Sequence, residues 1–177
     1  MRAATDVSAL DATDLKMMTR CLELAKAGTA AGEFPFAAVI TKNGAVIAEM
    51  HNQVARDDDI TRHAELVTIS AAQKVLGRGN LKHCTLYTIV EPCPMCSFAI
   101  RETGIERVVF ALKSPLMGGA SRWDVLSDEG LSVHMPEVFA PPPKVVAGPL
   151  GKEAAGIWRK WNPLFWGVIR LRGVFKA

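Results

Sequence analysis

No stretch of this 177-residue chain is apolar for long enough to cross a bilayer. The longest such run near the C-terminus, residues 163–169, falls far short of the ~20 residues a spanning helix needs. Residues 1–13 alternate small and polar side chains with no apolar block of signal-peptide length, which argues against secretion. No repeat at a fixed period is visible, so nothing suggests a solenoid or propeller. Cysteine is scarce: of four, Cys93 and Cys96 belong to a ligand motif, while Cys21 and Cys84 fall in apolar surroundings. A free thiol there behaves as a small buried hydrophobe, so the expected compartment is reducing and cytoplasmic. The net charge is only +3. What is plentiful is apolar side chain, 49% of the chain, ample for one core at a length that fits one domain, 1–177.

The modest charge is unevenly spread. Lys152, Arg159, Lys160, Arg170, Arg172 and Lys176 face Glu153 alone in the last 27 residues, interleaved with Trp158, Trp161 and Trp166. Basic side chains with aromatics between them can bind nucleic acid through phosphate contacts and stacking. The favoured reading is a packed terminal segment with a solvated basic face, because tryptophans at this spacing usually belong to a core or interface.

The chemistry lies in His63-Ala64-Glu65 and Pro92-Cys93-Pro94-Met95-Cys96. Cys93 and Cys96 are three apart, so on a helix both sulfurs share one face and can grip one ion. Together with His63 they make three ligands. That leaves a fourth tetrahedral position open for water, as in catalytic rather than closed structural zinc. Glu65 follows His63 by two residues, close enough to serve that water as proton shuttle while ligating nothing. A redox Cys-x-x-Cys pair would leave His63 and Glu65 unexplained. A closed zinc knuckle lacks a fourth ligand, since Cys84 lies nine residues before Cys93 and Cys21 is far upstream. His51, His83 and His134 have no ligand spacing to the motif and read as ordinary histidines.

The periodicity predicts a first helix from a cap at Asp11 or Thr13 to about residue 31, ended by Gly32. Residues 36–41 and 45–50 read as a β-hairpin across Asn43-Gly44. A helix over 63–76, a strand over 85–90, a helix from 92 or 93 to 103 and a strand over 107–111 follow. Residues 113–138 read as loose, with a helical turn near 123–126. An edge strand over 144–147 and a helix over 153–161 close the readable part. An opening hairpin and then alternating helices and strands imply α/β: a mixed sheet covered on both faces, with two helix N-termini meeting at the ligands.

This order of motifs resembles the cytidine-deaminase-like superfamily, in the branch of guanine deaminases, fungal-type cytosine deaminases and tRNA adenosine deaminases. The His-x-Glu and Pro-Cys-x-x-Cys signature carries the likeness, which covers roughly residues 14–126 and fades over 127–177. The resemblance implies a three-layer α/β/α sandwich around a mixed five-stranded sheet, and a homodimer. It also implies zinc on His63, Cys93 and Cys96, with Glu65 as general acid and base. Asn52, eleven residues before His63, matches an asparagine that hydrogen-bonds the substrate; the alternative is a turn residue after strand two. Ala64, Phe36, Glu91 and Asp124 are the other substrate-binding candidates, Glu91 through its carbonyl.

The substrate signals conflict. Phe34-Pro35-Phe36 looks more like guanine deaminases, with a core Phe beginning a strand as the alternative, whereas residues 120–126 are similar to tRNA adenosine deaminases. Ala37 stands where the branch often has Gly, and its methyl would narrow the pocket. Arg62 is read as pointing to water, ahead of pairing with Asp57, Asp58 or Asp59 or meeting a phosphate. The leading expectation is a small-molecule nucleobase substrate, guanine first, cytosine or a related amino-heterocycle second. Adenosine-to-inosine conversion in tRNA, with RNA as partner, is the alternative, and a non-catalytic zinc or redox module comes third.

Overall fold

The computed structural model describes residues 10–177; most of the segment read for a leader, residues 1–9, lies outside them. Helix α1 (Ala12–Ala30) starts at Asp11, whose carboxylate accepts from the Asp14 N–H while Asp14 accepts from the Asp11 N–H, a reciprocal capping box. Strands β1 (Ala37–Lys42) and β2 (Ala45–His51) form the expected hairpin, with Asn43 and Gly44 at φ of +50° and +77°. Helix α3 (Ala64–Leu76) follows a short α2 (Val54–Asp57) that the periodicity does not reveal. Next come β3 (Cys84–Val90), α4 (Pro94–Thr103) and β4 (Arg107–Leu112). A brief α5 (Glu129–His134) sits in the segment read as loose, and β5 (Lys144–Ala147) falls where expected.

The five strands are ordered β2-β1-β3-β4-β5, antiparallel up to the β1–β3 pair and parallel from there to β5. Strand side chains alternate between two cores. Val39, Tyr87, Ile89, Val109 and Val146 face α1 and the C-terminal helices, while Ile40, Leu86, Val108 and Phe110 face α3 and α4. This is the expected three-layer mixed sandwich. Cys21 and Cys84 are buried, one in each core.

The C-terminal segment is more ordered than its sequence suggests. Helix α6 (Gly151–Trp161) is followed at once by α7 (Pro163–Leu171), for which Asn162 is the cap and Pro163 the first residue. Trp158 is 1% exposed and meets Phe36, Trp161, Trp166 and Phe175 at ring separations of 5.0–6.4 Å. The tryptophans of the tail are therefore core and helix–helix packing. Lys176 then pairs with Lys113, each N–H donating to the other's carbonyl, so the chain end runs beside the end of β4.

Candidate active site

His63 is the N-cap residue of α3 and Cys93 the N-cap residue of α4, so the two helix N-termini converge as the sequence implied. Pro94 fits the first position of α4, where no amide donor is needed, and Cys96 sits one turn in. Cys93 Sγ, Cys96 Sγ and His63 Nδ1 form a triangle with all three sides 3.6 Å. Ligand atoms ~2.0–2.3 Å from a shared tetrahedral zinc stand about 3.5–3.8 Å apart, so the triangle has the dimensions of three zinc vertices. His63, Cys93 and Cys96 are the residues that would hold the metal.

The electrostatics agree with a cation site. The Cys93 thiol is held down at about 4, first by its hydrogen bond with Cys96 and then, against the opposing effect of burial, by His63. Cys96 is pushed up by that same bond and by burial, and His63 is raised chiefly by its bond to Cys93. A bound cation would favour thiolate at both cysteines. Glu65 is buried, which raises its carboxyl above the usual range. Its Oε1 accepts from Thr88 Oγ at 2.8 Å, and its Oε2 lies 3.6 Å from Cys96 Sγ. Thr88 was not among the expected residues. Its alternation on β3, facing the α3 side, was the only available signal.

Glu65, His63 and Cys93 open onto a cavity of about 120 Å³, whose wall also includes Phe36, Glu91, Ser114 and Phe175. Phe36 is on the wall of this cavity, and it also touches Trp158. Glu91 lines the cavity too, but its carboxylate is occupied: it accepts from the Ser114, Ala120 and Ser121 N–H groups and from Ser121 Oγ. It fixes the loop after β4. Gly118 and Gly119 let that loop approach, since a Cβ at Gly118 would overlap the Glu91 carboxylate and one at Gly119 would overlap Ser97 Oγ.

Other candidates are placed differently. Asn52 and Ala64 are buried but do not line the cavity. Asn52 Nδ2 donates to buried Glu33 at 2.9 Å, and Glu33 also accepts from the Ala55 and Arg56 N–H groups at the start of α2. Asp124 is not brought to the cavity: it is exposed on a turn at φ +60°, with its carbonyl accepting from Ser127 N–H. Ala37 packs in the core under α1, so its methyl does not narrow the cavity. Arg62 pairs with Asp57 at 2.9 Å rather than standing free in water. Phe34 packs on Trp161 and Phe165, away from the cavity. Phe175 had no sequence signal, because a single aromatic near the end of a chain has no periodicity to place it.

Comparison with known proteins agrees with this geometry. A tRNA-specific adenosine deaminase of Bacillus subtilis is 35% identical over 140 residues, 79% of this chain and 83% of its own length. A guanine deaminase of the same organism is 51% identical over 84 residues, 47% of this chain and 54% of its own length. A solved structure from studies of A-to-I editing by tRNA:A34 deaminases superposes with a TM-score of 0.71 at 31% identity, covering 80% of this chain and 98% of its own. The family described as cytidine and deoxycytidylate deaminase zinc-binding region matches residues 11–112. More than half the chain is thereby accounted for, and it belongs to this family of zinc-dependent hydrolases that release ammonia by cleaving a carbon–nitrogen bond.

Proposed function

We propose that this enzyme deaminates a free nucleobase, guanine first and cytosine or a related amino-heterocycle second. The observation that carries the reading is the small cavity whose wall includes Phe36 and Phe175. Its volume of about 120 Å³ is far below the ~300–1,000 Å³ of sites for drug-sized ligands and suits a single ring system better than a nucleotide in a strand. Two aromatic side chains on its wall give a flat base something to pack against. The burial of Trp158 and Trp166 supports the same reading, since aromatic platforms for single-stranded RNA must be exposed.

In this reading zinc, when bound, lowers the pKa of a water toward ~7 and so supplies a nucleophile at neutral pH. The chain's residues do the rest. Glu65 takes the water proton and passes it to the ring nitrogen beside the amine-bearing carbon. Hydroxide adds to that carbon; Glu65, again a carboxylate, takes the proton of the added hydroxyl and delivers it to the amine, and ammonia leaves as the carbonyl forms. The raised pKa of a buried Glu65 suits a group that must both accept and donate. Thr88 pins one carboxylate oxygen and leaves the other to move the proton. Asn52, oriented by Glu33, keeps an amide oxygen with no hydrogen bond among the described residues. Because neither Asn52 nor Ala64 lines the cavity as it stands, their proposed part in holding substrate, alongside the Glu91 carbonyl, requires the wall to shift as the base enters.

The tRNA reading retains one specific support. Lys152, Arg159, Arg170 and Lys176 line a groove of about 640 Å³ beside α6 and α7, a surface that phosphates would suit. We read residues 1–177 as one cytoplasmic deaminase domain acting as a homodimer, with exposed Met95, Phe98, Leu116 and Trp123 as apolar surface for the second copy. Sedimentation would report that assembly. Ammonia release should be measured against guanine, cytosine, guanosine, cytidine and an adenosine-containing tRNA anticodon stem-loop, with Glu65→Ala as control. Release from guanine that is insensitive to salt is expected. Release from the stem-loop alone, falling steeply with salt, overturns the reading in favour of RNA.

A further inference from the structure

Three side-chain nitrogen or oxygen atoms are sealed from solvent and make no hydrogen bond among the described residues: Arg101 Nη2, Trp158 Nε1 and Ser114 Oγ. Arg101 already donates to the Ala140, Val125 and Asp128 carbonyls, and Trp158 lies within its aromatic cluster. Ser114 is different. It is 2% exposed, and it lines the cavity that holds Glu65, His63 and Cys93.

Every other polar group of Ser114 has a partner. Its N–H donates to Glu91 Oε2 at 2.8 Å, and its carbonyl accepts from the Met117 and Gly118 N–H groups at 3.2 and 2.7 Å. These bonds fix the backbone, so Ser114 is held at the wall by the loop rather than by any bond of its hydroxyl. A buried hydroxyl left unpaired is destabilising, and such groups in folded proteins ordinarily have a partner. Among the described residues no group supplies one, and the cavity that Ser114 lines adjoins it.

We propose that Ser114 is a substrate-contacting residue whose hydroxyl hydrogen-bonds a ring nitrogen or carbonyl on the edge of the bound base. The assignment rests on the free-base reading above and extends it. A hydroxyl can donate and accept, so it serves a heterocycle edge of either polarity. It ranks bases by whether a polar atom or a bare C–H faces it, because the unmatched case leaves two groups unpaired instead of none. Glu91 thereby acts on the substrate at one remove, through the loop it holds.

The test is steady-state kinetics of zinc-loaded wild type, Ser114→Ala and Ser114→Thr on guanine, with zinc content and thermal midpoint measured alongside. Ser114→Ala is expected to raise KM roughly three- to ten-fold with a smaller change in kcat, and Ser114→Thr to restore much of the loss. Zinc content should stay constant, and the thermal midpoint should hold or rise, since an orphan hydroxyl has been removed. An unchanged KM, or a rise in KM accompanied by lost zinc or a lower midpoint, overturns the proposal. If wild type does not turn over guanine, the guanine reading fails separately. The same comparison is then made on the base from which it does release ammonia, and the same outcomes decide.

Discussion

At the scale of single residues the proposed site divides into groups that would hold a cation and a carboxylate placed to move a proton. His63, Cys93 and Cys96 form the 3.6 Å triangle, and Glu65 stands beside it with one oxygen pinned by Thr88. Glu65→Ala should therefore keep its zinc, measured by atomic absorption, while turnover falls by ~10²–10⁴. Cys96→Ala should lose the metal itself, because two ligands cannot replace a set of three. Thr88→Val would free the pinned oxygen and leave a buried carboxylate short of a donor, which predicts a lower kcat at unchanged zinc content.

At the scale of elements, two contacts decide how the layers meet. Asp14, on the first turn of α1, is fully buried and accepts from both Arg107 of β4 and the Tyr87 hydroxyl of β3. Burial pushes the Asp14 carboxyl up, but the bonds from Arg107, the Asp11 N–H and Tyr87 outweigh it and hold the pKa below the usual range. A depressed carboxylate contributes stability that is full above its unfolded pKa of ~3.9 and is lost as pH falls through the lower folded value. Asp14→Asn should cost about 3 kcal/mol at neutral pH in denaturant melts, and the difference from wild type should shrink below pH 4. The second contact is the loop after β4. Gly119→Ala must displace Ser97 or the loop, so it should lower both thermal midpoint and activity while leaving the ligand triangle intact.

At the scale of the whole molecule, the C-terminal segment returns to the site. Trp158 packs on Phe36, Phe175 shares the cavity wall with Glu65, and the Lys113–Lys176 pairing ties the strap to β4. Phe175→Ala should enlarge the cavity, raise KM several-fold and, because the ring is buried against Trp158 and Phe36, cost about 3–5 kcal/mol, read from kinetics and denaturant melts. Trp158→Ala removes a ring from the same cluster at its most buried point. It should cost about 3–5 kcal/mol of stability as well.

The ligand triangle, the carboxylate beside it and most of the elements that carry them were legible in the chain before it folds. Those features are local: a helix cap, a three-residue spacing, a two-residue turn with both residues at positive φ and a period of two or 3.6 all reside in neighbouring residues. The hairpin at Asn43-Gly44 and the edge strand ending at Ala147 were legible for that reason. Helix α7 was not, because Leu164 and Phe165 give it an apolar run whose exposed and buried sides only packing against α6 could sort. Nor did the chain order reveal that the Glu91 carboxylate would hold a loop, that Asp124 would stand exposed on a turn, or that Ser114 and Phe175 would line the cavity. Each depends on which distant segment fills the remaining space, a choice made by the summed burial and hydrogen bonding of the folded chain rather than by any stretch of it.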